Sequence, residues 1–136
     1  MSREERTGQR DLTFSRWHRT LPGFCTCIDL DFLEYCQACR APLALIEIGR
    51  GHHGAPKPTT VLESLAKKAG IQAYLVLYDI DKEAPHGLND LLRVQRIAPE
   101  KSAICAMKID EFGKYIEAIH QAHKCYKEMT DDAKIC

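Results

Sequence analysis

Four carboxylates and three thiols crowd into one short stretch, CIDLDFLEYCQACRAPLALIE, residues 27 to 47. Asp29 and Asp31 are two apart, the spacing that puts both side chains on one face of an extended strand. Glu47 closes the apolar run PLALIE, where a carboxylate is costly to bury without a partner. With the intervening turn centred near Cys39, Asp31 falls opposite Glu47, and facing side chains of an antiparallel pair have Cβ atoms about 4.5 to 5.5 Å apart. Carboxylates that close repel each other unless a cation lies between them, and Mg²⁺ or Mn²⁺ suits oxygen ligands of this kind. Such an ion, held by Asp31 and Glu47, polarises a phosphoryl oxygen and lowers the pKa of a bound water, which is what phosphodiester hydrolysis requires. The plainer use of the same residues is solvation: aspartates on the outer face of a strand commonly bind nothing, and Glu47 can sit at a sheet edge.

The thiols suggest a second chemistry. Cys25-x-Cys27 and Cys36-x-x-Cys39 together have the count of a four-thiolate zinc site, and Cys36-x-x-Cys39 has the form of half a zinc knuckle. Reach argues against joining the two pairs. If the residues between them are extended, the pairs stand roughly 30 Å apart, and one Zn²⁺ needs each sulfur at about 2.3 Å. Zinc at Cys36 and Cys39 therefore needs a folded-back strand, or partners from another segment or subunit; otherwise the cysteines are small buried thiols. His120 and His123, with Glu117 one turn earlier, form a further metal-capable face on a helix. His52 and His53 lie in a loop near Glu47.

The elements that must position these groups follow from periodicity and punctuation. Asp11 can cap a helix over 12–20, ended by Pro22-Gly23. Phe24 to Tyr35 alternates as a strand, CQACRAP is a turn, and LALIEI suits a strand covered on both sides. Residues 49–58, rich in glycine and proline, read as a loop. Thr60 and Glu63 form a capping box for a helix with Leu62, Leu65, Ala66 and Ala69 inward and Gly70 as its stop. IQAYLVLYD and LLRVQRI are strands, and Asp110 caps a last helix with Phe112, Tyr115, Ile116, Ile119 and Tyr126 at helical spacing. The expected fold class is α/β, a mixed β-sheet sandwiched by helices in the order α-β-β-α-β-β-α. One domain over 11–128 is expected, with flexible ends at 1–10 and 129–136.

Bulk properties narrow the setting. The chain has 136 residues, 45% hydrophobic and 28% charged, as a globular protein does, and it has no apolar run of the roughly 18 residues that cross a bilayer. A cytoplasmic location is expected, and seven cysteines, an odd number, favour thiols or metal ligands over a disulfide framework there. Nineteen basic and nineteen acidic residues leave no net field to draw the chain onto nucleic acid, so any such contact needs a local patch.

WHRTLP, IDLDFLEY, PLALIE and VLESLAKKAGIQAYLVLYD resemble small phage and prophage members of the PD-(D/E)XK restriction-endonuclease-like superfamily, over roughly residues 10 to 80. The resemblance implies Asp29 or Asp31 as the first metal ligand and Glu47 as the second. The family's lysine two positions after the second acid is replaced by Gly49. A basic group from Arg50, Lys57, Lys67 or Lys68 would have to take its place. The function implied is divalent-metal-dependent DNA hydrolysis, with Arg16, His18 and Arg19 available to phosphates and a homodimer built through the last helix. Two readings stand against it: an inactive scaffold that inhibits a host defence nuclease by binding it, in keeping with the absent lysine and zero net charge, and a zinc-stabilised interaction module.

Overall fold

The computed structural model describes residues 11–51 and 59–125. Helix α1 (Thr13–His18) starts where the Thr13 N–H donates to Asp11 Oδ1 at 2.9 Å, and the Thr13 side chain together with this backbone bond holds the Asp11 carboxyl below its usual pKa. The strand expected from Phe24 begins only at Phe32: β1 is Phe32–Tyr35, and residues 25–31 carry no strand pairing. Strand β2 (Pro42–Arg50) follows the turn and runs further than expected, through Gly49 into the anticipated loop. His52, His53 and Lys57 lie outside the described residues.

Helix α2 (Thr60–Ala69) crosses to β3 (Gln72–Tyr78) and stops at Gly70, whose φ of 69° is a left-handed conformation that glycine adopts without strain. The expected capping box does not form. Thr59 is the N-cap, no side chain caps it, and the Glu63 carboxylate instead meets Lys67 Nζ at 2.8 Å, which lowers its pKa. The helix buries only Leu62 and Ala66, four apart on one narrow stripe, and leaves Leu65 and Ala69 exposed.

Strand β4 (Leu91–Ala98) is joined by β5 (Cys105–Lys108), a short, largely exposed strand that adds one element to the expected order. Helix α3 (Ile109–Ala122) begins two residues earlier than expected: Lys108 and not Asp110 is its N-cap, no side chain caps it, and Asp110 and Glu111 lie in its first turn, where carboxylates favour the helix dipole. Tyr126 lies outside the described residues.

The five strands form one open mixed sheet in the order β1-β2-β3-β4-β5. Only β2 and β3 run parallel, as the α2 crossover requires; the other three pairings are antiparallel. Alternation along β2 serves two cores. Leu45 packs with Leu75, Ile97 and the α2 residues Leu62 and Ala66, whereas Ala44 and Ile46 pack with Tyr74, Val76 and Val94 beneath Phe112, Ile116 and Ile119 of α3. A strand covered on both faces reads as an unbroken apolar run, which is why LALIEI lacks alternation. On the α3 side, burial and a 3.0 Å hydrogen bond to the Tyr115 hydroxyl raise the pKa of Tyr74.

Candidate metal centre

The turn between β1 and β2 is a tight knuckle. The Arg40 N–H donates to the Cys36 carbonyl at 2.8 Å, the Cys36 N–H donates to the Ala41 carbonyl at 2.9 Å, and Arg40 takes a φ of 66°. That left-handed residue is strained for a non-glycine, and its guanidinium lies over the Tyr35 ring, 5.8 Å from the centroid. The knuckle brings Cys36 and Cys39 to the same side of the turn. At the far end of the chain α3 unwinds at His123, whose ψ of 125° is extended, and this turns His123 and Cys125 toward the knuckle.

The two ends meet there. Ligand atoms of Cys36, Cys39, His123 and Cys125 all lie within 4.8 Å of one another, and this is the metal-capable group of three or more among the described residues. Cys36 Sγ is 3.7 Å from Cys125 Sγ, and Cys39 Sγ is 3.2 Å from His123 Nε2. A tetrahedral Zn²⁺ with Zn–S near 2.3 Å separates its sulfurs by about 3.8 Å, close to the first of these spacings. Cys36 and Cys125 are buried, and Cys39 and His123 are partly buried. One turn before His123, His120 Nε2 meets Glu34 Oε1 at 2.8 Å, a second tie along the same seam.

These four residues could hold a metal ion such as zinc. Cys36 also forms a disulfide, whereas Cys39 and Cys125 are free thiols. One sulfur cannot be half of a disulfide and a thiolate ligand at once, so the four-donor set is complete in the reduced chain.

The sequence identified Cys36 and Cys39 and asked for partners from another segment; His123 and Cys125 are those partners. Their own signal was a histidine and a cysteine two apart at the end of a helix, complementing Cys-x-x-Cys. The separate metal face of Glu117, His120 and His123 does not form, because His120 turns to Glu34 and His123 to Cys39. Cys25 and Cys27 stand apart from the centre, as the distance argument required, and Cys27 Sγ instead lies 3.5 Å from His18 Nδ1.

The acidic residues are arranged differently. Phe32 pairs with Ile46 and Leu33 with Leu45, and the pairing ends there, so Asp31 lies just before β1 rather than paired across from Glu47. The Ile48 N–H donates to Asp31 Oδ2 at 2.9 Å. Asp29, Asp31 and Glu47 nevertheless do not make a three-ligand group among the described residues, and each makes a further interaction of its own. The expectation of Mg²⁺ or Mn²⁺ thus gains no support from ligand geometry, because a carboxylate aimed at a backbone N–H is partly spent as a ligand.

The basic candidates scatter. Lys67 is paired with Glu63, the Arg50 guanidinium lies 5.7 Å from the Tyr78 ring centroid, and Arg16 and Arg19 sit on or beside exposed α1. Arg93 of β4 reaches the Gly51 carbonyl. A Cβ on Gly51 would come within 3.1 Å of the Arg93 guanidinium and the Asp79 carboxylate, so a side chain there would have to displace those ends by a few tenths of an ångström.

No protein-family model matches the chain, and comparison with curated proteins and with solved structures returned no match. The described residues contain no helix long and apolar enough to cross a membrane.

Proposed function

We propose that the chain is a zinc-stabilised binding domain, in which one Zn²⁺ on Cys36, Cys39, His123 and Cys125 locks the β1–β2 hairpin to the end of α3. The convergence of three sulfurs and one imidazole within 4.8 Å carries this reading. Thiolates are soft ligands that select zinc over magnesium or calcium, and four protein ligands leave no open position for a substrate, so the ion's role is structural. It makes rigid a seam that also carries the exposed pair Glu34–His120. Elemental analysis of the reduced protein tests this: one zinc per chain, lost in Cys39→Ser and in His123→Ala, is the expected result. A chain purified under reducing conditions with substoichiometric zinc and no uptake on addition would refute it.

A second reading has its own observation in the contact between the Ile48 N–H and Asp31, beside Glu47. An antiparallel hairpin followed by a parallel crossover through α2 fits the restriction-endonuclease-like resemblance. On this reading Asp31 and Glu47 hold Mg²⁺ or Mn²⁺ and a metal-bound water attacks a DNA phosphodiester. Gly49 in place of the lysine favours instead an inactive scaffold that binds a protein such as a defence nuclease. Cleavage of plasmid, branched or single-stranded DNA in Mg²⁺ or Mn²⁺, abolished by Asp31→Ala and by Glu47→Ala, would establish the hydrolase. Activity surviving both changes would remove these residues from the reaction.

A further inference from the structure

One sulfur of the metal centre has two possible uses. Cys36 is in a disulfide, yet its Sγ lies within 4.8 Å of the donor atoms of Cys39, His123 and Cys125, with Cys125 Sγ only 3.7 Å away. Cys39 and Cys125 are free thiols. The four donors thus converge even in the oxidised chain, and the metal-holding state is reached by cleaving one S–S bond, with no rearrangement of the hairpin or of α3. Cys36 and Cys125 are 2% and 1% exposed, so small molecules meet the centre on the side of the partly buried Cys39 and His123. A disulfide that served only as a staple would gain nothing from two further thiols and an imidazole gathered around it.

We infer that zinc binding at this centre is redox-gated: the ion is taken up when Cys36 is reduced and released when Cys36 enters a disulfide. The inference names the regulation of the zinc site proposed above and rests on that reading. Its co-reactant is a small-molecule thiol together with the disulfide of that thiol. In reduction, one small thiolate attacks the disulfide that contains Cys36, forming a mixed disulfide and expelling one protein thiolate; a second small thiolate then displaces the other. Two electrons pass to the protein S–S bond, and the two small thiols leave joined to each other. Zn²⁺ then binds three thiolates and the imidazole, displacing protons from whichever thiols still carry them. Oxidation runs the same exchange backward, and losing Cys36 leaves three donors where tetrahedral zinc had four.

The test is zinc release from the full chain, first reduced, loaded with one equivalent of Zn²⁺ and freed of excess reductant. Oxidised glutathione should release one zinc for each disulfide formed at Cys36, read with a colorimetric chelator, and dithiothreitol should restore uptake. Peptide mapping without reduction should find Cys36 in a disulfide in the released sample and as an alkylated thiol in the reduced, chelated one. The triple variant Cys25→Ser, Cys27→Ser and Cys105→Ser removes free thiols outside the centre and should leave loading and release unchanged. Zinc that stays bound at every ratio of oxidised to reduced glutathione, release with Cys36 still a thiol, or release lost in the triple variant would overturn the inference. Loading separates the failures: a reduced chain that takes up zinc and keeps it under oxidant defeats this inference only, and a reduced chain that takes up none defeats the reading beneath it.

Discussion

The β1–β2 hairpin carries ligand-type residues at both ends, and the two ends are built on opposite principles. At the turn, Cys36 and Cys39 meet groups more than eighty residues away in sequence, and the donor atoms face one another. At the open end, Asp31 immediately precedes β1 and Glu47 lies on β2, yet Asp31 is directed at the Ile48 N–H. A soft, closed cluster gains its stability from the ion it encloses, because unliganded sulfurs brought together contribute little and the metal bond contributes much. An acid pair that accepts backbone hydrogen bonds already satisfies part of its charge without any ion. Nearness of ligand types in sequence is therefore a poorer guide to a metal centre than convergence of their lone pairs.

The largest effect that sharpens this contrast is removal of the zinc ligands. With zinc at a thousandfold its Kd, binding stabilises the fold by about 4 kcal/mol. Chelation under reducing conditions, or Cys39→Ser, should then lower the melting temperature by on the order of 10 °C, read by calorimetry. An unchanged melting curve would mean that the seam holds without the ion. Acidification should act in the same direction, since protons compete with zinc for three thiolates and an imidazole. Zinc release should grow as pH falls, followed with a colorimetric chelator.

At the other end, Asp31→Ala should remove the hydrogen bond to the Ile48 N–H and cost roughly 1 to 3 kcal/mol in denaturant unfolding, with zinc content unaltered. Loss of zinc in that variant would show the two ends to be one coupled unit. Gly49→Lys is smaller in its effect on stability. Its Cβ would press on Leu77 Cδ2 at 3.1 Å, a flexible neighbour, for a cost of about 1 kcal/mol. If the acidic end is a disabled hydrolase, this change should create or raise Mg²⁺-dependent cleavage; a stable, inactive variant would favour the non-catalytic scaffold. Smallest of all is Glu34→Gln. Its exposed pair with His120 should be worth less than about 1 kcal/mol and vanish in high salt.

Much of this architecture was legible before any coordinates. The covered strands announced themselves through LALIEI and IQAYLVLYD, Gly70 through its position after an amphipathic helix, and the register of the β1–β2 hairpin through the turn at Cys39. What escaped depends on tertiary contact. Strand β5 is four residues long and largely exposed, too short for alternation to mark it. Residues 25–31 alternate like a strand but find no neighbour to pair with, because periodicity records which face is apolar and not whether a partner strand reaches that far. The capping box failed because Glu63 found a stronger partner in Lys67. The metal centre was half visible: Cys36-x-x-Cys39 has a recognisable spacing, whereas His123 and Cys125 become its complement only when α3 is laid across the sheet and unwinds at its end.

The most direct test of the zinc centre is X-ray absorption at the zinc edge on the reduced, full-length protein, with metal stoichiometry measured on the same sample. One zinc per chain, with three sulfurs near 2.3 Å and one nitrogen near 2.0 Å, is the expected result. A protein that binds no zinc, or binds it through oxygen ligands while Cys39 and Cys125 still react as thiols, would contradict it.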